Sequence, residues 1–227
     1  MNKGYFITGT DTGIGKTRSA VALMAALQQR GLTVCGMKPV SAGCQTTTGG
    51  LVNEDAIKLM QQASRPFPYQ IVNPYAWLPP IAPHIAAQQA GNTMTLAPIR
   101  ECYQQIATQC DVVIVEGAGG WLVPLNATQT MADIAVDLAL DVILVVGIRL
   151  GCINHALLTM ESIKQKGCRL AGWIANHLSV PNAVAQENVK YLTTQIDAPL
   201  LGTFTYQPDA AAVQLAEMLI VDSLVGQ

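Results

Sequence analysis

The chain has 227 residues, half of them hydrophobic and only 12% charged, with a net charge of −2 at neutral pH. That core-rich composition excludes a disordered chain and suits one sizeable domain, read here as residues 1–227. The near-neutral balance lacks the basic footprint of a nucleic-acid binder or of a protein held on an anionic membrane.

In chain order, an apolar strand is predicted over residues 5–8. It runs straight into GTDTGIGKT, residues 9–17, and then into a helix over 16–30 that Gly31 stops. A strand over 33–37 leads to MKPVSAG, which carries Lys38. A helix over 53–63 follows, with Asp55 near its start. Residues 66–83 hold six prolines and read as an irregular excursion within the domain. Beyond them come a helix over 96–110 and a strand over 112–115 that leads into EGAGGW. A helix over 131–140, a strand over 142–146, a helix over 154–166 and a strand over 170–175 follow. The last elements are a helix over 183–196, a strand over 200–202 and an apolar C-terminal helix without Lys or Arg. The strands are short, β-branched and apolar on both faces, as strands of a parallel sheet covered on both sides must be. Strand–helix alternation predicts a doubly wound, mainly parallel α/β sheet flanked by helices, of the P-loop NTPase kind. Ligands of such sheets sit at the carboxyl ends of the strands, where the polar Gly-rich stretches fall.

Each of these stretches offers chemistry. GTDTGIGKT follows a strand and opens a helix, the context that makes a phosphate-binding loop credible. Five residues separate Gly9 from Gly15, one more than the usual loop. Gly13 and Gly15 let backbone N–H groups approach phosphate oxygens, and the helix start adds partial positive charge. Lys16 can reach the β- and γ-phosphates, and the Thr17 hydroxyl can ligate Mg²⁺. Glu116 ends a buried strand where such enzymes place a magnesium ligand or a water-orienting acid. Gly117, Ala118 and Gly119 follow it closely. Lys38 ends the second strand and faces the same crevice, where it can offset anionic charge. Asp55 is a second candidate Mg²⁺ ligand, although an acid at a helix start is also favourable without one.

The six cysteines show no C-x-x-C pairing and read as small buried hydrophobes of a reducing compartment. His84, His155 and His177 have no metal-ligand spacing, and Trp77, Trp121 and Trp173 read as packing residues. No signal-peptide layout and no run of about 18 apolar residues is present, which points to a cytoplasmic protein without a membrane span.

Taken together, YFITGTDTGIGKT, GMKPVSAG, NPY at Asn73–Tyr75, PHI at Pro83–Ile85, VEGAGGW, VILVVG, LGCINHALLT and LAGWIAN make the sequence resemble the dethiobiotin synthetases over nearly its whole length. The longer loop is characteristic of that family. The resemblance implies an ATP- and Mg²⁺-dependent closure of a ureido ring on 7,8-diaminononanoate with CO₂, through a carbamate and a carbamic-phosphoric anhydride. It implies Lys16 and Lys38 as catalytic cations and Thr12 as a contact to the carbamate. Thr17, Asp55 and Glu116 would hold Mg²⁺. Gly13, Ile14, Gly15, Lys16, Thr17 and Arg18 would wrap the phosphates, with Gly117, Ala118 and Gly119 close to the nucleotide. Asn176, Thr205 and Tyr206 would meet the base. Thr12, Lys38 and Ser41 would meet the substrate. Gly151, Cys152 and Asn154 would hold its carboxylate tail across the interface of a homodimer.

The chain departs from the family pattern at three places. Gly13 stands where relatives often carry Glu. Ser41 precedes Ala42 where a small residue usually comes first. The loop after Gly202 lacks the expected proline two residues after Thr203. Two other classes share part of the signal: the synthetase domain of cobyrinate-type amidotransferases, and switch ATPases of the partitioning type. The first needs a glutaminase domain. The second carries a signature lysine early in its loop, where this chain reads TDTGI.

Overall fold

The computed structural model describes residues 3–180 and 182–225. The elements run β1 (Lys3–Gly9), α1 (Lys16–Gln29), β2 (Val34–Met37), β3 (Val40–Ala42), β4 (Gln45–Thr47), β5 (Gly50–Val52), α2 (Glu54–Gln62), α3 (Tyr69–Val72), β6 (Tyr75–Trp77), α4 (Pro83–Gln89), α5 (Leu96–Ala107), β7 (Val112–Glu116), α6 (Met131–Asp137), β8 (Asp141–Ile148), α7 (Cys152–Gln165), β9 (Leu170–His177), α8 (Ala183–Gln195), β10 (Leu200–Phe204) and α9 (Ala212–Ala216).

Six strands form the central sheet in the order β10-β9-β8-β1-β7-β2. Every neighbouring pair is parallel. The expected doubly wound sheet is therefore present. All six carboxyl ends lie on one edge. β1 sits between β7 and β8, so the chain leaves it at the point where the strand order reverses. That is where an α/β sheet opens a crevice.

Alternation along the strands sorts the core into layers. Tyr5 and Ile7 face one side and pack with Leu23, Leu27 and Leu59, from α1 and α2, and with Leu215 of α9. Phe6, Val113 and Val115 face the other side and pack with Ile99, Ile106 and Ile134 from α5 and α6. A third cluster joins Leu144, Val146 and Trp173 to Met160 of α7 and Leu192 of α8. Trp121 and Trp173 are buried packing residues, as expected. The six cysteines are all free, five of them buried.

Several boundaries differ from the sequence reading. The helix predicted over 131–140 ends at Asp137, and Ala139 takes a positive φ of 51° as the chain turns into β8. The helix predicted from residue 154 starts at Cys152, because Gly151 adopts the left-handed conformation that lets the chain turn into it. The stretch over 66–83 is more ordered than its prolines suggest. It contains α3 and β6, and β6 pairs in parallel with β3 in a small second sheet. Pro83 begins α4, where a missing N–H costs nothing. The C-terminal helix is a single short turn, α9.

Candidate active site

The crevice is a cleft of roughly 730 Å³ lined by the opening loop, the start of α1, the residues after β2 and β7, the N-terminus of α2 and the segment 80–83. Its geometry begins with β1. The N–H of Thr10 donates to Val145 O at 3.2 Å, which ties the loop to β8. The loop then turns through Gly13 and Gly15, with φ of 72° and 91°. L side chains rarely take that conformation. At Gly15 space is also denied: a Cβ would lie 2.3 Å from Asn176 Nδ2.

Asn176, at the end of β9, is buried and donates from Nδ2 to Ile14 O at 2.7 Å. It braces the loop, and its Oδ1 is buried without a partner. Ile14 turns its side chain into the core and contributes only its backbone to the loop.

Lys16 is buried at the helix start, and its Nζ donates back to Asp11 O at 2.7 Å. Burial, and then the nearby Lys38 ammonium, pull its pKa down to about 8. Lys38 sits deeper still. Its Nζ lies 2.5 Å from Glu116 Oε1 and 3.1 Å from Asp55 Oδ2, and donates to Gly117 O at 3.2 Å. Burial alone would lower its pKa, but Glu116 and Asp55 outweigh that cost and hold it above the ordinary lysine value. Asp55 is drawn below the usual carboxylate range: its partial burial acts the other way, and the Lys38 charge with the Thr17 and Lys38 hydrogen bonds overcomes it.

The Thr17 hydroxyl donates to Glu116 Oε1 at 2.8 Å. Thr17, Asp55 and Glu116 thus converge, as the sequence suggested. Glu116 Oε2 is buried and has no partner. A hydroxyl with two carboxylates is an all-oxygen, hard donor set that suits Mg²⁺. No group of three His, Cys, Asp or Glu residues forms a metal cluster among the described residues. A magnesium ion here would complete its shell with phosphate and water, as Mg²⁺ habitually does.

Thr12, Gly13, Gly15, Lys16, Thr17, Arg18, Lys38, Ser41, Asp55, Glu116, Ala118 and Gly119 all reach the cleft. Gly117 lies just behind it, where a Cβ would strike the Phe6 ring at 2.9 Å. Ser41 is buried and spends its proton on Asn73 Oδ1 at 2.7 Å. Thr205 and Tyr206 lie on an exposed loop after β10 and do not line the cleft. Arg18 reaches that loop by donating to Gln207 O. Gly151, Cys152 and Asn154 start α7, away from the cleft of their own chain. The Cys152 side chain is packed in the third core cluster, so only its backbone can face a ligand.

The sequence reading assigned no role to Asn53, Lys58, Val123 or Pro80–Pro83, which also line the cleft. Lys58 was within reach of helical spacing, three residues after Asp55 on one face of α2. The proline segment stood out in the sequence, but nothing local aims it at the cleft; the fold brings it over.

The sequence from residue 3 to 214 matches the model of a family described as AAA domain. The chain is 47% identical over 216 residues to the ATP-dependent dethiobiotin synthetase BioD of Xanthomonas oryzae pv. oryzae, spanning 95% of this chain and 96% of that one. The chain belongs to the dethiobiotin synthetase family. A dethiobiotin synthetase of Cellvibrio japonicus is 50% identical over 200 residues, 88% of each chain. Another, from Pseudomonas aeruginosa, is 45% identical over 95% of both. Among solved structures, a ParA family ATPase from Chlorobium tepidum superposes with a TM-score of 0.58 at 14% identity, over 99% of this chain and 98% of that one. The MinD cell division protein of Aquifex aeolicus gives 0.57 at 16%, over 96% and 88%. At such identities the likeness is one of fold alone.

Proposed function

We propose that this protein is the ATP-dependent enzyme that closes the ureido ring of dethiobiotin from 7,8-diaminononanoate and CO₂. The observation that carries the reading is the Lys38–Glu116–Asp55–Thr17 cluster at the mouth of the phosphate loop, with Lys38 and Glu116 buried, in a chain of this family.

The reaction runs in three steps. One substrate amine adds to CO₂ and loses a proton, giving a carbamate. A carbamate oxygen attacks the γ-phosphorus and ADP leaves. The second amine attacks the carbonyl carbon of the mixed anhydride, phosphate leaves, and the ring closes.

Carbamate and triphosphate are both anions, so the central problem is their repulsion. The backbone N–H groups from Gly13 to Thr17 and the start of α1 hold the phosphates. Lys16 exchanges Asp11 O for phosphate oxygens. Lys38 faces the transferring group, and Thr12 lies beside it at the rim. Fixed cations already in place stabilise charge in the transition state without reorganising. Magnesium held by Thr17, Asp55 and Glu116 would neutralise charge on the β- and γ-phosphates. The spare Oδ1 of Asn176 suits the exocyclic amine of adenine, with Thr205 and Tyr206 at the outer edge of the base.

The substrate tail is the part this cleft leaves open. Leu150, Leu158 and Leu122 are 97%, 62% and 54% exposed. Leu122 and Leu158 flank a shallow hollow behind the loop, with Thr10 and Gly120. An apolar surface there favours a second copy of this chain, which would bring Gly151 and Asn154 to the tail. Among the described residues, no helix is long and apolar enough to cross a membrane.

The deciding experiment is dethiobiotin formation from purified protein, ATP, Mg²⁺, bicarbonate and 7,8-diaminononanoate. ADP release must need both the diamine and bicarbonate. Equal ADP release without the diamine overturns the reading. Sedimentation of Leu158→Glu tests the dimer, which should fall apart into monomers.

A further inference from the structure

The Asn-Pro-Tyr stretch at 73–75 does not line the cleft, yet Asn73 is 2% exposed and uses every hydrogen-bonding position of its side chain. Its Nδ2 donates to Lys38 O at 2.5 Å and to Tyr75 O at 3.3 Å. Its Oδ1 accepts from Ser41 Oγ at 2.7 Å and from Tyr69 OH at 2.8 Å. Tyr69 OH accepts in turn from the N–H of Asn53 at 2.8 Å. Asn53 Oδ1 caps α2 by accepting from the N–H groups of Asp55 and Ala56 at 3.1 and 3.2 Å. Asp55 then closes a ring onto the Lys38 ammonium at 3.1 Å.

The ring runs from the Lys38 main chain through Asn73, Tyr69 and Asn53 to Asp55, and back to the Lys38 side chain. Between Lys38 and Asp55 the chain itself passes through the β4–β5 hairpin, which is largely exposed. That hairpin cannot fix the distance between the two groups. The polar ring can, because Lys38, Asn73 and Asn53 are buried and an unmade bond at any of them leaves a desolvated donor or acceptor.

We propose that Asn73 and Tyr69 are positioning residues that hold Lys38 and Asp55 at their working separation. The proposal rests on the reading of Asp55 as a magnesium-holding group. Ser41, whose proton is committed to Asn73, belongs to the same ring.

Tyr69→Phe is the chosen test, since it removes one oxygen from a half-buried ring and leaves the packing in place. The measurement is calorimetric binding of a non-hydrolysable ATP analogue over a range of Mg²⁺ concentrations, with Asp55→Asn and the double variant alongside. In Tyr69→Phe the Mg²⁺ concentration for half-maximal effect rises about tenfold, while affinity in EDTA stays at the wild-type value. Asp55→Asn raises it at least as far, and adding Tyr69→Phe to that background raises it no further. Asn73→Asp, which keeps the shape but sets a carboxylate oxygen in place of the donor to Lys38 O and Tyr75 O, gives at least the same shift and a lower kcat at saturating substrate. A lowered melting temperature with wild-type Mg²⁺ demand in Tyr69→Phe, while Asp55→Asn is impaired, overturns the positioning role alone. Additive effects in the double variant overturn it as well. Wild-type Mg²⁺ demand in Asp55→Asn overturns the metal reading and the proposal with it.

Discussion

Lys38 Nζ lies 2.5 Å from Glu116 Oε1, while the other oxygen of that carboxylate, Oε2, is buried with no partner. The pair is therefore half-complete: one side of Glu116 is matched by the ammonium, and the other is the free acceptor that the proposed magnesium would use. Glu116 is 1% exposed, so its charge depends on these neighbours.

Removing Lys38 strands a buried carboxylate. Lys38→Met is expected to lower stability by about 3–5 kcal/mol, the usual cost of breaking a buried pair from one side. Adding Glu116→Gln restores part of that loss, because no charge is left uncompensated. Thermal or urea unfolding of the two single variants and the double variant checks this. All three lack measurable turnover.

Lys16 gives a pH signature. Its pKa of about 8 in the free protein lies below the 10.5 of an ordinary lysine, chiefly through burial. Bound phosphates favour the charged form and raise it again. Nucleotide binding above pH 8 thus takes up a proton, and affinity falls as pH rises through that value. Calorimetry at pH 8.5 in two buffers of different ionisation enthalpy measures the uptake. For folding the sign is opposite to that of a lysine that gains a partner. The unfolded chain binds more protons between about pH 8 and 10.5, so this group's contribution to stability rises across that window.

Gly15 admits no side chain. A Cβ would lie 2.3 Å from Asn176 Nδ2, on a backbone with φ of 91°. Gly15→Ala displaces the amide that holds Ile14 O and adds roughly 1–2 kcal/mol of left-handed strain. Nucleotide affinity is expected to drop at least about tenfold. Asn176→Gly in the same chain removes the clash but leaves the strain, so binding stays weak. Equilibrium dialysis with labelled ATP reads both.

Arg18 holds the loop of Thr205 and Tyr206 through Gln207 O. Arg18→Ala frees the loop. ATP affinity is expected to fall severalfold more than that of inorganic tripolyphosphate, which has no base for the loop to meet. An equal loss for both places Arg18 on the phosphates instead.

Much of this was legible locally. β-branched runs such as Val112–Glu116 and Asp141–Ile148 announce strands buried on both faces. GTDTGIGKT shows its loop by residue type and spacing. The short pieces β3, α3 and β6 were not legible, because elements of three or four residues form only when a partner strand or helix supplies their hydrogen bonds. Cys152 shows a different limit. The family resemblance implied a place near a substrate tail, but packing in the cluster of Leu144 and Met160 turns its side chain inward.

The sequence by itself determined the sheet, the phosphate loop and the kind of group at each strand end, since periodicity, glycine and charge act over a few residues. Only the tertiary structure decided what those groups do to one another. Lys38 and Glu116 are 78 residues apart in the chain. Their pairing, the orphaned Oε2 and the Asn73–Tyr69 ring exist because β7 lies beside β2 and α2 packs over that edge. Burial there makes each charge depend on its neighbours, which no local stretch of sequence encodes.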